Sequence, residues 1–183
     1  MSLTPLVSPN DHSSGPEDAP VTLVEYGDYE CPYCGAAHPI VQEVQRTLGP
    51  KLRFVFRNFP LKEIHPHAER AAEAAEAAGA QGKFWEMHDL LFENQGALED
   101  ADLLRYAASL SLDGDRFATD LSTGVYTARV RGDFRSGVRS GVNGTPTFFI
   151  NGARHEASWD LPTLLAAVQA AAAPVAGVHR GRP

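Results

Sequence analysis

Two cysteines stand three positions apart in Cys31-Pro32-Tyr33-Cys34, and the chain has no other cysteine. A disulfide between them would close a very short loop, which the chain-entropy estimate values at only about 2 kcal/mol of stability. Such a bridge is a weak structural staple but a suitable redox reagent. The pattern therefore predicts thiol-disulfide exchange, in which a thiolate attacks a disulfide and forms a mixed disulfide.

The flanking sequence places this pair at the start of a helix. Residues 21–26 are β-branched and aromatic and predict a strand, and residues 32–48 predict a helix that ends at a Gly-Pro pair. The free N–H groups and the dipole of that helix should stabilise a thiolate on Cys31 and lower its pKa below the free value of about 8.5. We expect an accessible Cys31 to attack the partner disulfide. Cys34, one turn further in, should resolve the mixed disulfide.

Glu25 lies six residues before Cys31 and alternates with Val21 and Leu23 on one face of the predicted strand. If both faces of that strand are covered, the carboxylate is buried and its pKa rises. A near-neutral Glu25 could then take the proton from Cys34, directly or through a water. The alternative is an ordinary solvated glutamate.

A second segment of interest is Gly144-Thr145-Pro146, which leads into the strand predicted at residues 147–150. Proline is acceptable at the start of a strand. The bond before Pro146 could be cis or could belong to a plain trans turn. In the cis case the backbone of Thr145 would be free to pair with a substrate segment, and the ring of Pro146 would shield the sulfurs.

The element order predicts an α/β domain with a helical domain inserted at its middle. Residues 1–19, rich in Pro, Ser, Asp and Gly, predict a flexible leader. The α/β part comprises residues 20–62 and 142–173, the inserted helical domain residues 63–141, and a loose tail residues 174–183.

These motifs resemble the thioredoxin superfamily, and within it the DsbA-like branch. The matching features are the strand followed by Cys-x-x-Cys, the acidic residue six positions before it, the Gly-Thr-Pro turn, and the stretches at residues 25–35 and 82–88. The resemblance implies a thioredoxin fold with helices inserted between its βαβ and ββα halves, and a cis bond before Pro146. It also implies oxidation, reduction or isomerisation of protein disulfides, with no cofactor beyond the Cys31–Cys34 disulfide. We expect Pro32, Tyr33, Thr145 and Pro146 to contact the substrate.

One departure from the branch concerns oxidising power. The best-studied DsbA enzymes carry a histidine between the cysteines, whereas this chain has Tyr33. Asp28 and Glu30 lie close by in sequence and should oppose a thiolate. We therefore expect a reduction potential between those of thioredoxin and DsbA, about −270 and −120 mV.

The composition of the chain limits the classes of molecule that it is expected to bind. The net charge of −7 argues against nucleic acid, and no run of about 18 apolar residues predicts a membrane span. The N-terminus lacks the features of a secretory signal, so the chain as it stands is expected in the cytoplasm; a trimmed signal would place it in the periplasm or outside the cell. Expected partners are unfolded or partly folded proteins with thiols or disulfides, and a redox partner protein.

Two other functions and one other kind of site stay open. Cys-Pro-Tyr-Cys is also the motif of the glutaredoxins, which act on glutathione, but those proteins resemble a shorter fold with a Gly-Gly pair after the turn. The helical insertion could instead make the chain a chaperone-type binding module. A zinc site would need His65 and His67 beside the cysteines, because no second cysteine pair exists. We predict no metal.

Overall fold

The computed structural model describes residues 1–173, so the tail predicted at residues 174–183 lies outside the described residues. The strands are β1 (His12–Ser14), β2 (Val21–Gly27), β3 (Leu52–Asn58), β4 (Thr147–Ile150) and β5 (Ala153–Arg154). The helices are α1 (Pro32–Leu48), α2 (Ala68–Gly79), α3 (Phe84–Glu93), α4 (Asp100–Ser109), α5 (Gly114–Thr123), α6 (Thr127–Arg139) and α7 (Leu161–Ala172). Among these helices, none combines the length and apolarity that a bilayer crossing requires.

The five strands form one sheet with the order β1-β3-β2-β4-β5. The central strand β2 pairs parallel with β3 and antiparallel with β4. Glu25 of β2 sits opposite Phe56 on one side and Phe148 on the other. The carboxylate is therefore surrounded by the most buried part of the sheet, as the alternation of residues in β2 predicts.

Both faces of the sheet are covered, which explains why its strands are apolar on both sides. Val21, Leu23 and Phe56 belong to a large core that also contains residues of α1, α7 and the inserted helices. Val24 and Phe149 point the other way, into a smaller core on the opposite face. The cysteine pair lies in the larger core.

The inserted helices α2 to α6 lie between β3 and β4, within the range in which the sequence predicts them. Helix α2 is the centre of this group and contacts α3, α4, α5 and α6. Its alanines at 71, 72, 74, 75, 77 and 78 are all buried. Because alanine side chains are short, helices can pack closely on several sides of α2. The predicted fold class, a thioredoxin fold with a helical insertion, is confirmed.

The flexible leader predicted at residues 1–19 is wrong. Strand β1 pairs antiparallel with β3 at one edge of the sheet, and Ser2 bridges to Ala153 at the other edge. Leu3 is 4% exposed and belongs to the smaller core. The N-terminal segment therefore crosses one face of the sheet from edge to edge and forms part of the fold.

An ion pair holds this segment in place. The guanidinium of Arg57 in β3 donates to Asp11 Oδ1 at 2.7 Å and to Asp11 Oδ2 at 3.1 Å, and both side chains are almost fully buried. The same guanidinium donates to the carbonyl oxygens of Pro5 and Leu6 and to the hydroxyl of Tyr26. The polar N-terminal segment is therefore held in place by the guanidinium of Arg57, which lies 46 positions after Asp11 in the chain.

We expect Asp11→Ala to lower the free energy of unfolding by about 3 kcal/mol, because it leaves the guanidinium of Arg57 buried without its carboxylate. Urea unfolding of the oxidised protein at neutral pH measures this loss. The matched control is Asp18→Ala, which removes an exposed carboxylate from the same segment and should change stability little. Equal effects of the two substitutions would show that the segment is not held by the ion pair.

Candidate active site

Cys31 occupies the cap position immediately before α1, in an extended conformation with φ −71° and ψ 120°. Its backbone N–H donates to the carbonyl oxygen of Asp28 at 3.1 Å, which turns the chain from the loop into the helix. Pro32 is the first residue of the helix, where its missing N–H removes no helical hydrogen bond. The N–H groups of Tyr33 and Cys34 are then free to face the Cys31 sulfur.

This environment lowers the pKa of Cys31 from its usual 9.0 to about 5. The largest cause is a hydrogen bond from the Cys34 thiol, and burial opposes it. The N–H groups of Cys34 and Tyr33 lower the pKa further. The stabilised thiolate that the sequence predicts therefore has a geometric basis, in which the thiol of the second cysteine is the largest single cause.

The two sulfurs differ in pKa more than in exposure. Cys34 is fully buried, and its pKa is raised well above its usual value by burial, by its hydrogen bond to Cys31 and by the nearby Glu25. Cys31 is only 4% exposed, less accessible than the sequence predicts, because the carbonyl oxygen of Thr145 lies 3.5 Å from its sulfur and covers it. Both cysteines are free thiols in this structure.

Glu25 lies below the pair in the sheet and is 2% exposed. Within residues 1–173, its Oε1 is buried and accepts no hydrogen bond. Burial, followed by the negative charge of Cys31, raises the pKa of Glu25 to about 8. The buried carboxylate with a raised pKa is the one that the strand alternation predicts.

The Thr145–Pro146 peptide bond is cis, as the resemblance implies. The turn is closed by the Thr147 hydroxyl, which donates to the carbonyl oxygen of Gly144 at 2.7 Å. The hydroxyl of Thr145 is buried and has no hydrogen-bond partner in the described part of the chain. Across from this turn, Pro32 and Tyr33 are exposed, Tyr33 to 66%. Of the predicted substrate-contacting residues, Pro32 and Tyr33 are therefore exposed, whereas Thr145 and Pro146 are half-buried.

Asp28 organises the loop before the cysteines, a role that the sequence did not reveal. Its carboxylate accepts hydrogen bonds from the N–H of Glu30, the N–H of Leu61 and Nδ1 of His65, each at 2.8 Å. Its own N–H donates to the Cys34 sulfur at 3.5 Å. The negative charge expected to oppose the thiolate is therefore engaged by three donors. His65, named above as an alternative zinc ligand, is hydrogen-bonded to the carboxylate of Asp28.

Gln95 is a second residue that the sequence did not single out. From the loop between α3 and α4, its Nε2 donates to the carbonyl oxygens of Tyr29 at 2.9 Å and Cys31 at 2.8 Å. A Cβ at Gly35 would lie 2.1 Å from Gln95 Oε1, so only glycine leaves room for this side chain. The glycine after the Cys-x-x-Cys was a possible signal of a close approach, but it did not identify the partner.

Comparisons with known proteins agree with this architecture. A family model described as "Thioredoxin" matches residues 7–170. A thioredoxin-like oxidoreductase from Silicibacter pomeroyi superposes with a TM-score of 0.79 at 32% identity, covering 90% of this chain and 93% of that one. BdbD of Bacillus subtilis, in its oxidised form, gives a TM-score of 0.77 at 24% identity, covering 88% and 92% of the two chains.

Curated relatives are longer. The Na(+)/H(+) antiporter NhaA 1 of Salinispora arenicola is 52% identical over 169 residues, which cover 92% of this chain and 26% of that protein. The Na(+)/H(+) antiporter NhaA of Herminiimonas arsenicoxydans is 46% identical over 171 residues, covering 93% and 27%. The chain therefore spans about a quarter of the length of these relatives.

We expect Cys34→Ala to raise the pKa of Cys31 by about 1 to 2 units, because a hydrogen bond to a charged group is worth about 1.5–3 kcal/mol. The rate of Cys31 alkylation as a function of pH measures this pKa, with wild type half-ionised near pH 5. Cys34→Ser is the matched control: its hydroxyl keeps a donor, so the rise should be smaller. Identical pKa values in the two variants would contradict the assignment of Cys34 as the main donor.

Proposed function

Because this chain belongs to the thioredoxin family and has the fold of DsbA-like thiol-disulfide oxidoreductases, we propose that it exchanges disulfides with protein substrates through Cys31 and Cys34. The observation that carries the proposal is the Cys31 sulfur, whose pKa falls to about 5 beside a buried second thiol. At neutral pH the first sulfur is thus mostly thiolate, the form that attacks disulfides.

The exchange balances as two successive displacements. The Cys31 thiolate attacks one sulfur of a partner disulfide, forming a mixed disulfide and releasing the other partner sulfur as a thiolate. Cys34 then loses its proton and attacks the Cys31 sulfur, which releases the second partner sulfur. Two electrons pass from the cysteine pair to the partner, and the reverse sequence oxidises a partner dithiol.

Glu25 is proposed to accept the proton of Cys34 in the second displacement. Cys34 is buried and holds its proton tightly, so it needs a nearby base. Glu25 is suited to this role because its pKa of about 8 is close to neutral pH. Its unpaired Oε1 leaves an acceptor open towards the pair or towards a bridging water.

The substrate is proposed to be an extended segment of an unfolded or partly folded protein that carries a thiol or disulfide. Such a segment would pair with the backbone of Thr145 and pass between the ring of Pro146 and the exposed side chains of Pro32 and Tyr33. Because Cys31 is nearly covered, docking on this turn has to bring the partner sulfur close to it. A second redox protein would then restore the cysteine pair.

The direction of exchange depends on the reduction potential of the cysteine pair and on that of its redox partner. A low pKa of Cys31 stabilises the reduced form and makes the disulfide more oxidising. The value of about 5 lies between those of thioredoxin and DsbA, about 7 and 3.5. We propose a protein oxidase or isomerase with a reduction potential between those of the two enzymes. A potential at or above that of DsbA would contradict this ranking.

Loss of activity in a cysteine variant tests the function. Cys31→Ser should abolish insulin reduction and the oxidation of reduced RNase, whereas Cys34→Ser should accumulate a mixed disulfide that is visible on a non-reducing gel. Full activity of Cys31→Ser would favour a chaperone-type binding module. A preference for glutathione in the hydroxyethyl-disulfide assay would instead favour a glutaredoxin-like enzyme.

We expect Glu25→Gln to slow resolution of the mixed disulfide by up to about 100-fold near neutral pH, the lower end of general base catalysis. Stopped-flow resolution rates measured against pH should lose the inflection near pH 8 that wild type shows. The attack rate of Cys31 should change far less. Glu17→Gln, at an exposed position, is the control and should behave as wild type.

Glu25→Gln should also change how the free energy of unfolding depends on pH. The pKa of Glu25 is raised in the folded protein to about 8 from its usual 4.5, so the folded state holds a proton that the unfolded chain releases between these pH values. Wild-type stability should therefore fall as pH rises from about 4.5 to 8. Glu25→Gln should remove this contribution, so the variant should gain stability relative to wild type across that range. Parallel stability curves would contradict a buried, protonated Glu25.

A further inference from the structure

A second cluster of titratable side chains lies away from the cysteine pair, between α1 and α3. His38 of α1 and the neighbouring His88 and Asp89 of α3 each offer a ligand atom, and these atoms all lie within 4.8 Å of one another. Local sequence patterns do not reveal this cluster, because 50 residues separate the two histidines. Only the packing of the insertion on α1 brings them together.

His88 is held as a neutral imidazole. It is 3% exposed, and burial followed by the nearby His38 lowers its pKa well below the usual value. Its Nδ1 lies 3.1 Å from the hydroxyl of Tyr29, a contact that fixes the ring orientation. Metal-binding histidines usually have such a partner on one ring nitrogen, while the other nitrogen carries the lone pair.

His38 and Asp89 are arranged as two acceptors around one donor. His38 Nε2 lies 3.3 Å from Asp89 Oδ1, and the amide nitrogen of Gln42 lies 3.1 Å from the first atom and 3.5 Å from the second. With Nε2 unprotonated, the two lone pairs would repel each other without a donor between them. A metal cation between His38 Nε2 and Asp89 Oδ1 would attract both lone pairs more strongly than the amide of Gln42 does.

The cluster is open on one side. The side chain of Asp89 is 46% exposed, whereas that of His38 is 8% exposed. An ion can therefore enter from the solvent past Asp89 and reach two buried imidazoles. A buried pair of imidazole nitrogens beside a partly exposed carboxylate is a donor set that suits zinc and similar divalent transition ions, and not magnesium or calcium.

We propose that His38, His88 and Asp89 form a binding site for a divalent transition ion of the Zn²⁺ type. A fourth ligand would be a water or the amide oxygen of Gln42 after rotation of its side chain. Tetrahedral zinc, with bonds of about 2.0–2.1 Å, separates its ligands by about 3.3–3.4 Å. The cluster must therefore contract by at most about 1.5 Å. Because His38 Nε2 and Asp89 Oδ1 already lie 3.3 Å apart, this contraction concerns the distances to His88.

Binding would join α1, which begins at the active-site cysteines, to α3 of the insertion. An ion that binds the folded state raises its stability by mass action. The site is thus proposed to be structural. It would stabilise the contact between α1 of the α/β part and α3 of the inserted helices. It takes no part in the sulfur chemistry.

Zinc titration of the tag-free, oxidised protein tests the proposal, because the disulfide removes Cys31 and Cys34 as competing ligands. Calorimetry should show one zinc per chain, and thermal unfolding should shift upwards with zinc but not with magnesium. Asp89→Asn and His38→Gln should each weaken zinc binding by at least about 100-fold, since changes to outer partners of such sites already cost about 10–100-fold.

Glu93→Gln is the matched control, because it removes an exposed carboxylate from the same helix outside the cluster. It should bind zinc as wild type does. Circular dichroism of each variant without metal confirms that the fold is kept, which separates lost ligands from a lost structure. The proposal is overturned if wild type binds no zinc, or if Asp89→Asn and His38→Gln bind it as tightly as Glu93→Gln. In either case the cluster is an ion pair and a packed imidazole only.

Discussion

The hydrogen bond from the Cys34 thiol to the Cys31 sulfur is the contact on which the candidate chemistry depends. It requires the helix to begin at Pro32, so that the second sulfur lies one turn below the first. It also requires Cys34 to remain protonated, which its complete burial ensures. The same burial makes Cys34 a poor nucleophile until a base removes its proton. The burial of Cys34 therefore both favours the thiolate of Cys31 and keeps Cys34 itself unreactive.

The loop before the cysteines is stabilised by groups from distant parts of the chain. Asp28 collects donors from the segment after β3, and Gln95 of the insertion binds two carbonyl oxygens of the loop. Since buried polar groups are costly when unpaired, these contacts leave the loop few alternative conformations. The insertion is thus more than a cover for the α/β part, because it supplies a side chain that holds the backbone of Cys31.

Local patterns predicted the elements that carry the site, but not the contacts between them. The strand alternation around Glu25, the helix start after Cys31 and the proline before β4 each have a signature within a few residues, and each was predictable. Gln95 and the pairing of Asp11 with Arg57 have none, since a polar residue in sequence does not reveal which buried group it meets. The exposure of Cys31 was overestimated for the same reason: Thr145, which covers it, is 114 positions away.

The N-terminal segment has a consequence for how other chains can associate with the sheet. Its β1 and the short β5 form the two outer strands, only three and two residues long, and Ser2 occupies a further position beside β5. Short outer strands offer little backbone for an incoming strand and so protect a protein from edge-to-edge aggregation. The unfolded chains proposed as substrates would carry that hazard. The turn over the Cys31 sulfur is the place proposed for a substrate to add backbone hydrogen bonds, and the outer strands of the sheet give that substrate almost no template on which to polymerise.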